Sequence, residues 1–64
     1  MDIYEQIAGT HGFISLGRGR GVYYGTVENL RHTPRGWLFV DRDEIKTGAE
    51  IRALVDQYLL ERES

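Results

Sequence analysis

Glycine is distributed unevenly along this chain, and its placement limits where helices can form. Of the eight glycines among the 64 residues, seven lie between Gly9 and Gly36. Glycine weakens the interior of a helix and supplies the positive φ angles that many turns require. The middle of the chain is therefore expected to form strands and turns, which leaves the two ends for helices.

The C-terminal third carries the clearest helix signal. Residues 47–50 read TGAE, a capping-box pattern in which Thr47 and Glu50 exchange hydrogen bonds across the first helical turn. Apolar residues then recur at helical spacing, on one stripe of the surface. The pattern predicts an amphipathic helix over residues 48–62. The stripe consists of Ile51, Leu54, Val55, Tyr58 and Leu59.

A shorter helix is predicted near the N-terminus. Ile3 and Ile7 would share one helical face, and Gly9 is suited to end the helix in the left-handed conformation. The alternation of Ile3, Glu5 and Ile7 also fits a strand. Because so short a segment is not stable as an isolated helix, tertiary packing has to decide between the two.

Three apolar segments between these ends predict strands, at residues 13–16, 22–30 and 37–40. Residues 17–21 would join the first two. Residues 33–36 read TPRG and would join the last two through a type I turn. The predicted fold is α+β, in the order α-β-β-β-α. A three-stranded antiparallel meander would carry the C-terminal helix on one face and the short N-terminal helix beside it. Residues 1–64 are expected to form one small domain.

Composition limits the classes of function. The chain has no cysteine, which excludes disulfides and Cys-based zinc or redox chemistry. Its longest apolar run is WLFV at residues 37–40, far shorter than a membrane span or a signal-peptide core. We therefore expect a cytoplasmic protein that does not bind membranes.

Charge is segregated along the chain although the net charge is only −2. Residues 11–40 contain four arginines and both histidines, with Glu28 as their sole acid, whereas both ends of the chain are acidic. Such asymmetry indicates a surface for nucleic acid or for an acidic protein, or else it complements the acidic helices within the fold. The four arginines are Arg18, Arg20, Arg31 and Arg35.

The glycine-rich segment GRGRG at residues 17–21 is the first candidate contact region. Its glycines would let a partner approach the backbone while Arg18 and Arg20 contact phosphate or carboxylate groups. The alternative is an ordinary flexible hairpin loop. The basic turn that holds Arg31 and Arg35 is a second candidate, with a polar hairpin end as the alternative.

Two tyrosines complete the candidate partner-binding set. Tyr23 and Tyr24 are consecutive in a predicted strand and therefore point to opposite faces of the sheet. One of them is expected at the surface, where it would contact a protein or stack on a nucleic-acid base. Trp37, Phe39 and the other tyrosine are expected in the core.

Catalysis finds little support in the sequence. His11 and His32 are the only histidines, and no nucleophile elbow surrounds Ser15. The acidic cluster at residues 41–44 lacks the glycine and the remaining ligands of a calcium-binding loop. We expect no enzymatic activity, no cofactor and no metal site.

The sequence favours a small non-enzymatic protein-interaction module, such as a regulator or inhibitor of a larger protein machine. In size, lack of cysteine and α/β build it is similar to many phage-encoded inhibitors of host proteins. One alternative is nucleic-acid binding through the basic and aromatic centre, and a remote one is a hydrolase that uses His11 or His32. The protein partner can also be a second copy of the chain, in a homodimer that completes the small core.

Overall fold

The computed structural model describes residues 3–63, which form a three-stranded sheet with two helices against one face. This confirms the predicted α+β arrangement. The elements are α1 (Ile3–Ile7), β1 (Gly12–Gly17), β2 (Arg20–Gly25), a 3-10 helix (Val27–His32), β3 (Leu38–Asp41) and α2 (Gly48–Glu63).

Helix α2 begins at the predicted capping box and extends over the predicted range. The Thr47 amide donates to Glu50 Oε1 at 3.2 Å, and the Glu50 amide donates to Thr47 Oγ1 at 3.3 Å. Ile51 and Val55 are fully buried against the sheet. The hydroxyl of the buried Tyr58 donates to the carbonyl of Gly36, which ties the helix to the turn before β3.

Strands β1 and β2 form the expected antiparallel hairpin through a shorter turn than residues 17–21. Gly17 pairs with Arg20, so only Arg18 and Gly19 make the turn. Both have positive φ, 57° and 75°, as a type I′ turn requires. The register shifts between Ser15 and Gly17, where β1 carries a bulge that increases the local twist.

Strand β3 lies beside β2 but runs parallel to it, so the sheet is mixed rather than an antiparallel meander. The predicted strand at residues 22–30 ends at Gly25, because the chain then turns into the 3-10 helix. Asn29 stabilises that helix by accepting the Thr26 amide at 3.0 Å, a local bond that competes with strand pairing. Residues 26–37 then form a crossover, the connection that parallel strands need.

The two faces of the sheet have different neighbours. The inner face packs on the helices and forms the core, with Val22, Tyr24 and Val40 fully or almost fully buried. The crossover lies against the outer face, since Trp37 and Asn29 contact the backbone there. Within residues 3–63, no helix combines the length and the apolar character needed to cross a membrane.

Candidate binding surface on the outer sheet face

Three aromatic side chains form a row across the outer face of the sheet. Phe13 of β1 is paired with Tyr23 of β2, which is paired with Phe39 of β3. The ring centroids are 6.5 Å and 6.4 Å apart and the rings are stacked, at 21° and 26° between planes. Phe13 is 68% exposed, and the other two are partly exposed. The row therefore presents aromatic surface to solvent.

Trp37 extends this row from the end of the crossover. Its indole ring lies 6.0 Å from Phe13, centroid to centroid. It also lies directly on the backbone of Gly21: a Cβ at that position would come within 2.5 Å of the indole carbons. The contact fixes the position of the ring, because any side chain at Gly21 would displace it. We call Phe13, Tyr23, Phe39 and Trp37 the aromatic face.

A shallow cavity of about 210 Å³ lies where the aromatic face meets the crossover. Its walls are mainly apolar rings, and no acidic residue lines it. Within the described residues, neither the Tyr23 hydroxyl nor the Trp37 indole N–H is hydrogen-bonded, and neither atom is buried. The cavity therefore offers flat apolar walls, and two of its rings carry a polar group that reaches solvent. The lining residues are Phe13, Tyr23, His32, Pro34 and Trp37.

Arg18 and Arg20 lie away from this surface. Arg18 is exposed in the hairpin turn, and Arg20 alternates with Tyr23 so that it points to the helix side of the sheet. Both line a cavity of about 420 Å³ together with Glu61 and Arg62 from the end of α2. The predicted basic pair thus lies beside the helix rather than next to the aromatic rings.

Arg31 and Arg35 lie on the crossover, where both are exposed. Arg31 follows Leu30 on the 3-10 helix, and Arg35 follows Pro34 in the turn before β3. They are the predicted basic residues nearest in the chain to the cavity, because His32 and Pro34 line it. The structure therefore divides the predicted basic centre into two separate regions.

Tyr23 and Tyr24 lie on opposite faces of the sheet, in different environments. Tyr24 is fully buried, and its hydroxyl donates to the Ile45 carbonyl at 2.6 Å and accepts the Gly9 amide at 3.1 Å. It joins β2 to the segments next to both helices and offers nothing to a partner. Tyr23 belongs to the aromatic face, so it is the tyrosine that the strand alternation places at the surface.

The two histidines lie in different surroundings. The His11 ring contacts the Arg42 guanidinium at 3.3 Å, and His32 lines the aromatic cavity. In the described part of the chain, no three His, Cys, Asp or Glu side chains come together in a group that would hold a metal ion.

Sequence reasoning missed the exposure of Phe13, Trp37 and Phe39. Strand alternation could have predicted the exposure of Phe13. Phe13 and Ser15 lie on one face of β1, whereas Ile14, on the other face, packs against the core. The orientation of β3 and the position of Trp37 had no comparable signal, because both depend on the path of the crossover.

Comparison with models of protein families, with curated proteins and with solved structures finds no match to this chain. Its function is therefore inferred from the chemistry of its own surface.

Proposed function

We propose that this chain is a small non-enzymatic protein-interaction module that binds a larger protein through the aromatic face, as a regulator or inhibitor does. The observation that carries the proposal is the aromatic row itself, with Phe13 68% exposed. Aromatic residues are enriched among the side chains that dominate binding energy at protein interfaces. In a domain this small, a large exposed ring that could have entered the core indicates a binding role.

Protein fits this surface better than nucleic acid as a partner. Nucleic-acid binding needs cations that follow the phosphates beside the stacked bases. Arg18 and Arg20 lie at the end of α2 with Glu61, away from the rings. An apolar face with few charges is typical of the centre of a protein interface. As part of this proposal the protein acts in the cytoplasm.

Affinity capture with the full chain as bait tests the proposal. Wild type, Phe13→Ser and Leu60→Ser are compared on lysate of the source organism, with and without nuclease treatment. Leu60 is the matched control because it is 71% exposed on α2. We expect one partner protein to be retained by wild type and by Leu60→Ser and lost with Phe13→Ser. Equal retention by all three, or a loss of binding after nuclease, would contradict the proposal.

Self-association through the aromatic face is the variant of this proposal in which the partner is a second copy. Sedimentation velocity at increasing concentration distinguishes it. A dimer that Phe13→Ser dissociates and Leu60→Ser preserves would identify the partner as the chain itself.

A further inference from the structure

The cavity on the aromatic face offers more than apolar surface. The Trp37 indole N–H is a donor only, and the Tyr23 hydroxyl can donate as well. Both reach solvent and are without a hydrogen bond within residues 3–63. Since the Trp37 ring rests on the Gly21 backbone, the walls are already in place before a ligand arrives. The cavity is therefore lined by aromatic rings already in place, two of which carry a hydrogen-bond donor that reaches solvent.

We propose that this cavity binds a proline-rich segment of the partner protein in the polyproline II conformation, with an acidic residue next to the prolines. The inference rests on the proposed function and adds the chemistry of the ligand. A polyproline II segment presents flat pyrrolidine rings and carbonyl groups without internal hydrogen bonds. Proline has no N–H, so the segment offers acceptors to a platform that supplies donors.

The size and charge of the cavity agree with such a ligand. About 210 Å³ accommodates one or two proline rings in a shallow groove. Arg35 follows the lining residue Pro34 on the crossover and is exposed, whereas Arg31 lines a separate cavity with Val27, Glu28 and Leu30. An acidic residue beside the prolines would be attracted to the Arg35 guanidinium.

Two other ligands fit less well. A cation, which aromatic cages also bind, would meet no acidic side chain in the lining and two arginines next to it in the chain. A nucleic-acid base would stack on the rings, but the strand attached to it would need more cations than Arg31 and Arg35 provide. The proline-rich segment is the ligand whose polar groups all match.

Three synthetic probes test this on the full chain: an oligoproline peptide with glutamate at one end, the same peptide with every proline replaced by alanine, and a single-stranded oligothymidylate. Trp37 is the single tryptophan of the protein, so its fluorescence reports on the cavity. We expect only the proline peptide to give a saturable change. Tighter binding of the oligothymidylate, or equal binding of the alanine peptide, would overturn the inference.

Variants then locate the contact by calorimetry. Tyr23→Phe keeps the phenyl ring and removes one donor, so it should weaken the peptide about tenfold, as expected for the loss of one hydrogen bond. Trp37→Phe removes the other donor and also shortens the ring, so it should weaken the peptide by at least as much. Leu60→Ser should bind like wild type, and unchanged binding in both donor variants would refute the proposal. If the peptide does not bind while capture still depends on Phe13, the proline inference fails and the proposed function remains.

Discussion

At the scale of single residues, Arg18 has a left-handed backbone conformation that is unfavourable for a residue with a side chain. It has φ 57° in the first turn position of the β1–β2 hairpin, a conformation that costs a non-glycine residue about 1 kcal/mol. Arg18→Asn creates the Asn-Gly pair that type I′ turns prefer. We expect the variant to be more stable by up to about 1 kcal/mol, a rise in Tm of roughly 4–8 °C. A thermal melt followed by circular dichroism measures it, and a lower Tm would contradict the prediction.

The neighbouring tyrosines provide a matched pair at the same scale. Tyr24→Phe removes a buried hydroxyl that bonds both the Ile45 carbonyl and the Gly9 amide, and should cost about 1–3 kcal/mol of unfolding free energy. Tyr23→Phe removes a hydroxyl without a hydrogen-bond partner in the described residues and should leave stability within about 0.5 kcal/mol. Urea denaturation of both variants checks this. An equal loss of unfolding free energy in the two variants would contradict the prediction that only the buried hydroxyl stabilises the fold.

At the scale of elements, the capping box of α2 makes the stability of the helix sensitive to pH. The Thr47 hydroxyl donates to the Glu50 carboxylate at 2.9 Å, and this bond, followed by the Thr47 amide, lowers the pKa of Glu50 from its ordinary 4.5. Since the folded state binds the proton less tightly, this stabilisation is present above the unfolded-state pKa and is lost as pH falls through the folded value.

We therefore expect Glu50→Gln to flatten the fall in unfolding free energy between neutral and acidic pH. Thr47→Ala should flatten it in the same direction, because it removes the hydroxyl that lowers the pKa. Denaturant melts over a series of pH values give both slopes. A wild-type slope in both variants would mean that the cap does not carry this dependence.

The crossover is the element that the sequence pattern did not predict. Residues 22–30 have strand composition, but only residues 22–25 belong to a strand. Val27 and Leu30 are 62% and 52% exposed, because they lie on the 3-10 helix that follows. The Thr26–Asn29 hydrogen bond stands at the start of the connection that leads into β3, and β3 pairs parallel with β2. Composition does not show where the strand ends, because β-branched residues only favour a strand. Local side-chain hydrogen bonds can override that preference.

At the scale of the molecule, the fold depends on few buried side chains, which centre on the contact between α2 and the inner face of the sheet. Ile51 is fully buried in that contact. Ile51→Ala should cost about 2–5 kcal/mol, comparable with the total stability that so small a core supplies. We expect the variant to lose its cooperative thermal transition, while Leu60→Ala, exposed on the same helix, retains it. A cooperative melt near the wild-type Tm in Ile51→Ala would contradict this view of the core.

The candidate site shows the same division between sequence and structure. Alternation within one strand was enough to predict that Tyr23 and Tyr24 point to opposite faces of the sheet. The same rule places Phe13 and Ile14 on opposite faces. It was not enough to bring Phe39 into line with Tyr23, because that alignment depends on the parallel register of β3. Nor did alternation predict that Arg18 and Arg20 lie in a different region from Arg31 and Arg35. The number of residues between the two pairs does not show on which side of the molecule each pair lies.

What the chain determined by itself were its local structures: the capped helix at residues 48–62, the hairpin and the α+β class. These follow from contacts between residues close in sequence, which composition and spacing record. The tertiary structure alone decided the direction of β3, the place of Trp37 on Gly21 and the exposure of the aromatic face. These depend on where the crossover brings distant segments together, and no local preference encodes that path.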